Sequence, residues 1–258
     1  MTDEGLRFHF DGPVERITLS DPERRNALGL ERVQALTAHL LAIDASASSS
    51  VVVIDAEGPA FSAGHDLGEL CGIDFPAAQA LFDASGELMD TIHSIRQPVI
   101  AAVDGVATAA GCQLVAACDL VVATERSTFA TPGVQIGLFC STPMVPLSRA
   151  VGRKRAMEML LTGDPIPART AAEWGLVNTV VPDGELTAAV DSLVGRIVRW
   201  SSHTIALGKS AFYEQLDRPE PEAYDIAKIV MSENAVDAVA QEGMRAFLDK
   251  REPDWPDP

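Results

Sequence analysis

At 258 residues, 47% hydrophobic and 22% charged, the chain has the composition of a soluble globular protein with enough length for a sizeable core. A formal net charge of −17 excludes nucleic acid and anionic membrane as general partners. It leaves room for a small anionic ligand met by a local basic cluster, such as Arg24-Arg25 or Lys250-Arg251.

The apolar runs all fall short of the ~20 residues needed to span a bilayer. Met1-Thr2-Asp3-Glu4 has neither a basic n-region nor an apolar core, so no secretory leader is expected. Cys71, Cys112, Cys118 and Cys140 show no CxxC pair and no zinc-like spacing with histidine. Reduced thiols in a bacterial cytoplasm are the expectation.

In chain order, Leu6 to Phe10 and Val14 to Leu19 predict two strands joined by a turn at Asp11-Gly12-Pro13. Asp21 to Leu28 is polar and predicts a loop. Leu30, Val33, Leu36, Leu40 and Ile43 recur at helical spacing. Val51 to Ile54 is a β-branched run, as in a strand buried on both faces. Gly58 to Asp66 (GPAFSAGHD) predicts a loop, and Pro76 to Ile95 a long helix with proline at its start.

The next stretch, residues 98–119 (PVIAAVDGVATAAGCQLVAACD), organises the rest. The strand Val99 to Val103 is followed by a turn at Asp104-Gly105. A small-residue turn from Ala107 to Gly111 then leads into a helix after Gly111. A strand running into a small-residue helix start presents unpaired N–H groups at the positive end of a helix dipole. Such a place suits an anion or developing oxyanion, and small side chains allow close approach. A buried alanine-rich helix with no ligand would give the same pattern.

Farther on, strands are predicted at Leu120 to Ala123 and Thr128 to Ala130, an irregular loop at Gly133 to Pro143, and a helix at Arg153 to Leu161. Gly163 to Pro167 reads as extended, Ala168 to Glu173 as helix and Gly175 to Val181 as β. Four helices follow, at Glu185 to Trp200, Ser202 to Tyr213, Glu222 to Asn234 and Val236 to Lys250. Strands thus alternate with helices up to about Val181, and helices alone come after it. The tail from Glu252 to Pro258 is expected to be loosely held.

Two loops follow strand ends, Phe61-Ser62-Ala63-Gly64-His65-Asp66 and Ala107 to Gln113. Each offers a backbone N–H where α/β proteins hold ligands, and two converging donors make an oxyanion hole. These loops occur with Arg25-Asn26-Ala27-Leu28, Pro98 to Gly105, Gly111-Cys112-Gln113-Leu114, Cys118-Asp119 and Gly243 to Arg251. Over nearly the whole chain this set resembles the enoyl-CoA hydratase/isomerase superfamily, whose fold is the crotonase fold.

The resemblance implies an α/β fold, a crotonase (ClpP/crotonase-like) spiral of ββα units. The core would span 1–195, and 196–258 would be a C-terminal helical trimerisation region of the same structural unit. The N–H groups of His65 and Ala110 would hold the thioester oxygen of an acyl-CoA. Asn26, Ala27, Leu28 and Ala63 would follow the CoA chain, with Gly64, Asp66 and Gly111 completing the binding set. Arg24 or Arg25 would meet CoA phosphates, and Phe247 and Lys250, from a neighbouring subunit, the adenine end. The implied partners are the acyl-CoA and further copies of the chain, as a homotrimer or dimer of trimers. No tightly bound cofactor is implied, since coenzyme A arrives with the substrate. The implied activity is hydration of a 2-enoyl-CoA in fatty-acid metabolism.

The residues depart from that pattern at two places. Hydration needs a base for water at Cβ and an acid for Cα, which two glutamates supply in hydratases of the family. Here those positions are Gln113 and Gly133. Glutamine orients water but takes no proton at neutral pH. Residues 129–143 (FATPGVQIGLFCSTP) resemble a subgroup of the family, that of the enoyl-CoA hydratase domain-containing proteins 3, which shares both losses.

Three alternatives therefore stand beside hydration: a different reaction using His65 or a Gln113-held water, acyl-CoA binding without chemistry, and a Ser-His-Asp hydrolase. The last lacks any serine in a nucleophile setting. Several residues also have bland readings. Asp66 would cap a helix, Cys140 would be a small buried hydrophobe rather than a nucleophile, and Asp104 and Asp119 would hold turns and helix ends. Phe82, Met89 and Phe139 would line an acyl pocket or the core.

Overall fold

The computed structural model describes residues 5–46 and 48–255. Met1 to Glu4, on which the leader reading rested, and the last three residues of the tail lie outside the described residues.

The predicted hairpin forms from β1 (Leu6–Asp11) and β2 (Val14–Leu19), antiparallel with Leu6 opposite Leu19. The amphipathic segment becomes α1 (Leu30–Ser46), which buries Val33, Leu36, Leu40 and Ile43. Three strand pairs follow, each with its own helical segment. They are β3 (Val51–Ala56) and β4 (Ala60–Ser62), then β5 (Val99–Val103) and β6 (Val106–Thr108), then β7 (Leu120–Thr124) and β8 (Thr128–Ala130). The first pair leads into α2 (Leu67–Leu70) and α3 (Phe75–Ser94), and the second into α4 (Ala110–Ala117). The third leads into a 3₁₀ turn (Pro132–Ile136) followed by α5 (Met144–Val151) and α6 (Arg153–Thr162). Next come β9 (Ile166–Pro167), α7 (Ala168–Trp174), β10 (Thr179–Val181) and α8 (Leu186–Val198). The chain then runs through α9 (Ser202–Leu216), α10 (Glu220–Val236) and α11 (Ala238–Asp249).

The first strand of each pair joins a sheet of order β1-β2-β3-β5-β7-β10, and the second joins one of order β4-β6-β8-β9. This alternation is the ββα spiral. Each turn advances one place in both sheets, so β4, β6 and β8 stack as parallel neighbours.

The central strands β3, β5 and β7 of the larger sheet are buried on both faces, as their unbroken apolar runs predict. Val52, Ile54, Ala101, Val103 and Val121 face one apolar core with α1, α3 and α4. Val51, Val53, Ile100, Ala102 and Val122 face a second, closed by Val190 and Val194 of α8.

Local differences from the sequence reading have physical causes. The expected loop at Gly58 to Asp66 contains β4, and β6 runs from the end of the expected turn at Asp104-Gly105 into the expected small-residue turn. Both are three-residue strands, too short for a periodic signal, and their ladder partners form only once the spiral closes. α4 starts at Ala110 rather than after Gly111. A Cβ at Gly111 would lie 2.7 Å from that of Ser62, so glycine there reflects close packing of α4 on β4. α5 follows the expected irregular loop without a preceding cap signal. The described end of the tail is tied down: Trp255 Nε1 donates to the Arg199 carbonyl at 3.2 Å, and the Asp254 N–H donates to Glu242.

Whereas α8 docks through its apolar face, α9 is held by one largely buried ion pair. Lys209 Nζ on α9 donates to Asp119 Oδ2 (2.7 Å) and to the carbonyls of Ile92 (2.7 Å) and Gln97 (2.8 Å). Asp119 also accepts from the Val99 N–H and the Tyr213 hydroxyl, each at 2.7 Å. Burial lowers the Lys209 pKa against the raising pull of Asp119. All donors and both carboxylate oxygens are occupied, so Lys209→Met leaves Asp119 buried without its counter-charge. The expected loss is about 3–5 kcal/mol of unfolding free energy, read by urea denaturation. A loss below 1 kcal/mol would show that the pair is dispensable for docking α9.

Candidate active site

The carboxyl ends of β4, β6 and β8 lie side by side, spaced as parallel strands ~4.8 Å apart. After β4 the chain runs Ala63-Gly64-His65, after β6 it runs Ala109-Ala110, and after β8 it runs Thr131-Pro132-Gly133. The topology therefore brings His65, Ala110 and Gly133 together, although 68 positions separate the first from the last.

The 63–65 segment is held by a zipper to residues 25–28. The Ala63 N–H donates to the Arg25 carbonyl (2.9 Å) and the Leu28 N–H to the Gly64 carbonyl (2.7 Å). Ser62 Oγ donates to the Asn26 carbonyl (2.8 Å) and accepts from the Gly64 N–H (3.1 Å). Asn26, fully buried, braces the other side: its Nδ2 donates to the carbonyls of Glu57 (2.9 Å) and Ala60 (2.8 Å), while its Oδ1 accepts from the Asp21 N–H (2.8 Å).

These bonds occupy the N–H groups of Ala63 and Gly64 but leave that of His65 without an acceptor among the described residues. Ala110 opens α4, so its N–H has no partner within the helix. Gly64 makes the two meet: with φ +88, a Cβ built there would stand 2.9 Å from the Ala110 nitrogen and 2.8 Å from the Ala109 Cβ. Ala109 itself sits at φ 51, ψ −119, a conformation L-residues rarely adopt. This strained N-cap, at a cost of about 1–3 kcal/mol, turns α4 so that its first N–H lies beside the 63–65 segment.

His65 and Ala110 both line a cavity of about 420 Å³, together with Ala63, Leu67, Leu70, Phe82, Ala109, Pro132, Gly133, Phe139 and Cys140, among others. Among the described residues its wall carries no carboxylate, lysine or arginine. His65 is the basic group there. Its Nδ1 lies 3.0 Å from the Leu28 carbonyl, a contact that requires the proton on Nδ1, and its ring meets Phe82 edge-on at 5.4 Å. Nε2 is buried and unpaired. Burial pushes the imidazole pKa below its ordinary value, against the Leu28 carbonyl and the charge of Glu69.

Of the expected site residues, Ala63, His65, Ala110 and Gly133 line this cavity. Arg24, Ala27 and Asp66 instead line a separate polar hollow of about 310 Å³, where Arg24 is ion-paired with Asp66. Asp66 also caps α2, accepting from the Gly68 N–H at 2.8 Å. Phe82 and Phe139 lie on the cavity wall, whereas Met89 is in the core. Phe247 and Lys250, at the end of α11, line neither hollow; Phe247 is 83% exposed.

Gln113 is buried, off the cavity wall, with its Oε1 unpaired. Gly133 has a steric reason to be glycine: a Cβ there would overlap the Leu138 carbonyl oxygen and lie 2.9 Å from Cys140 Sγ. Cys140 accepts from the Gly133 N–H at 3.4 Å, and burial pushes its thiol pKa up, so it is a protonated wall group. Burial pushes the Cys112 thiol up to about 12. Sequence reasoning missed the Ser62 hydroxyl's bridge to Asn26 and the Leu28 clamp on His65. Both run between loops 36 to 37 residues apart, and their one visible trace is a small hydroxyl at a buried strand end.

The spiral of paired strands, with a cavity at the carboxyl ends of the smaller sheet, is the crotonase fold. The chain belongs to the enoyl-CoA hydratase/isomerase family, whose model matches residues 9–258. It is 46% identical over 245 residues to mitochondrial enoyl-CoA hydratase domain-containing protein 3 of Mus musculus, covering 94% of this chain and 81% of that one. It is 34% identical to a putative enoyl-CoA hydratase of Thermus thermophilus, over 94% and 97% of the two chains. The crystal structure of the human domain-containing protein 3 superposes with a TM-score of 0.95 at 43% identity, covering 98% of this chain and all of that one. An enoyl-CoA hydratase of Mycobacterium smegmatis gives 0.96 at 42% identity, over 98% and 99%. Among the described residues no helix is long and apolar enough to cross a membrane.

Two measurements check this geometry. Ala109→Gly, which relieves the strained N-cap, is expected to raise the unfolding free energy by up to about 1 kcal/mol, whereas Gly64→Ala lowers it by about 1–3 kcal/mol. Losses of equal size in both variants would refute the strain assignment. Stability should also fall between pH 7.5 and 5.5. Burial lowers the folded-state pKa of both His65 and His93 from 6.5. The unfolded chain therefore binds more protons in that window, and stability drops as pH passes below 6.5. Urea midpoints should show the drop, and His65→Gln with His93→Gln should reduce it; an unchanged slope would contradict the neutral assignment.

Proposed function

We infer that this chain binds an acyl-CoA thioester, with the carbonyl oxygen between the N–H groups of His65 and Ala110 and the acyl chain in the 420 Å³ cavity. The observation that carries this reading is the approach of Gly64 to the Ala110 nitrogen at the mouth of an apolar cavity. Two unpaired donors that close have a purpose when an oxygen that gains negative charge sits between them. The pantetheine chain would follow residues 26–28 and Ala63, and the phosphates would meet Arg24 in the polar hollow in competition with Asp66. Exposed apolar side chains on the C-terminal helices, among them Phe212, Tyr224, Ile229, Met231 and Phe247, support assembly as a trimer or dimer of trimers. In that assembly Phe247 and Lys250 would reach a neighbour's adenine. Coenzyme A comes as part of the ligand, and fatty-acid metabolism is the setting this ligand implies.

Standard hydration does not fit the wall. Among the described residues no carboxylate faces the cavity, and the backbone of Leu138 stands where a side chain at 133 would begin. A positioned acid or base is worth roughly 10²- to 10⁴-fold, and both are missing. Crotonyl-CoA should therefore be hydrated far below ordinary enzymatic rates of about 1–10³ s⁻¹; turnover within that range would overturn this part of the reading. Along a saturated series from butyryl- to decanoyl-CoA, each added methylene should tighten binding about fourfold, from ~0.8 kcal/mol per buried CH₂. Calorimetry showing no dependence on chain length would remove the acyl chain from the cavity.

A further inference from the structure

We propose that the bound acyl chain runs out of the cavity onto an apolar rim at its opening, so that this site takes long-chain aliphatic acyl thioesters. The inference rests on the acyl-thioester reading above and extends it to a substrate class.

The rim is built from two turns of the spiral. Leu67, the first residue of α2, comes from the segment after β4. Ile136, Leu138 and Phe139 come from the 3₁₀ turn after β8 and the loop that follows it. All four line the cavity, yet they are 57%, 61%, 43% and 39% exposed in that order. Residues that face the cavity and solvent at once mark the place where the cavity opens. A polar side chain would serve an exposed turn equally well, so a cluster of large apolar ones there has its purpose in what covers it.

The rim is held in one arrangement. The Leu138 N–H donates to the Gly133 carbonyl at 2.9 Å and the Gly137 N–H to the Val134 carbonyl at 3.3 Å, with Gly137 at φ 76. Gln135 Nε2 donates to the Thr162 carbonyl at 3.3 Å and ties the turn to the end of α6. On the other side, the Asp66 cap on the Gly68 N–H fixes the start of α2. A surface fixed in this way loses little conformational freedom when a flexible chain lies on it.

Continuity and charge select the occupant. The wall that holds Ala63, Ala110 and Phe82 also carries these four side chains, and among the described residues it has no carboxylate, lysine or arginine. The charged groups of Arg24 and Asp66 belong to the separate polar hollow. An alkyl chain that starts at the His65 and Ala110 N–H groups and outgrows the cavity therefore meets hydrocarbon where it emerges. A methylene on the rim buries about half the surface it would bury inside, so it adds roughly twofold in affinity instead of about fourfold.

The test measures binding of butyryl-, decanoyl- and hexadecanoyl-CoA to the full chain by competition with a fluorescent acyl-CoA, each ligand below its micelle-forming concentration. Wild type should bind hexadecanoyl-CoA about 60-fold more tightly than decanoyl-CoA, from six added methylenes at about twofold each. Combining Leu67→Ser with Ile136→Ser should lower that ratio at least about fivefold. Both positions are more than half exposed, so the fold tolerates serine there. The ratio compares two ligands on one protein, so a uniform loss of CoA binding does not move it. A wild-type ratio below about fivefold, with decanoyl-CoA still tighter than butyryl-CoA, would overturn the proposal and leave the acyl-thioester reading intact. A smaller fall in the double variant would also overturn it, and a changed sedimentation coefficient would then assign the rim to contact between copies of the chain. Equal affinity for butyryl- and decanoyl-CoA would remove the reading beneath it, and the proposal with it.

Discussion

The site depends on the zipper between residues 25–28 and 62–65. Ser62 Oγ gives its hydrogen to the Asn26 carbonyl and takes one from the Gly64 N–H, so a single buried hydroxyl connects two loops 36 residues apart. The Leu28 N–H and carbonyl then grip Gly64 and His65 in turn. The neighbouring amides are thereby used up, and the His65 N–H is left open toward the Ala110 N–H. A buried hydrogen bond is worth only about 1 kcal/mol net, yet leaving its partner unsatisfied costs about 1–3. The zipper therefore acts more through orientation than through total stability. Asn26 supports it from below with three side-chain bonds, at a φ of 53 that asparagine tolerates better than most residues.

The spiral explains why so short a zipper suffices. Each ββα turn delivers one three-residue strand to the small sheet, and the chain leaves each of these strands at the same edge. Strand spacing alone puts the three exits side by side, and the zipper and the Ala109 strain need only rotate peptide planes. The centre of the large sheet, packed on both faces, supplies the rigidity. Lys209 and Asp119 join the C-terminal helices to the same frame, so the site and the exposed apolar surface of those helices share one support.

Much of this was legible in the sequence wherever a segment was long enough to show its period. α1, α3 and the four C-terminal helices appear within a few residues of their predicted bounds, and so do β2, β3, β5, β7 and β8. β4 and β6 were not legible, because three residues carry no period and their order comes from neighbours across the spiral. The small residues at 63–64 and 109–111 marked a place where backbone segments come close. What they could not reveal was which N–H groups would remain free. That depends on partners at Arg25, Ser62 and Leu28, and no local pattern encodes it. The histidine at 65 was visible, but its tautomer and bare Nε2 follow only from the Leu28 carbonyl.

The two missing glutamates differ physically. At 113 a glutamine occupies a buried first-turn position of α4 and keeps nearly the shape of a glutamate, so the loss there is one of charge. At 133 the loss is one of space. The backbone from Gly133 to Cys140 folds back so that the Leu138 N–H bonds the Gly133 carbonyl at 2.9 Å, and the Leu138 carbonyl occupies the volume a side chain at 133 would need. A point substitution can restore the charge at 113 but not the room at 133, because the obstructing atom belongs to the backbone of the cavity wall. The loop conformation that closes this side of the cavity thus leaves no room for a carboxylate at 133.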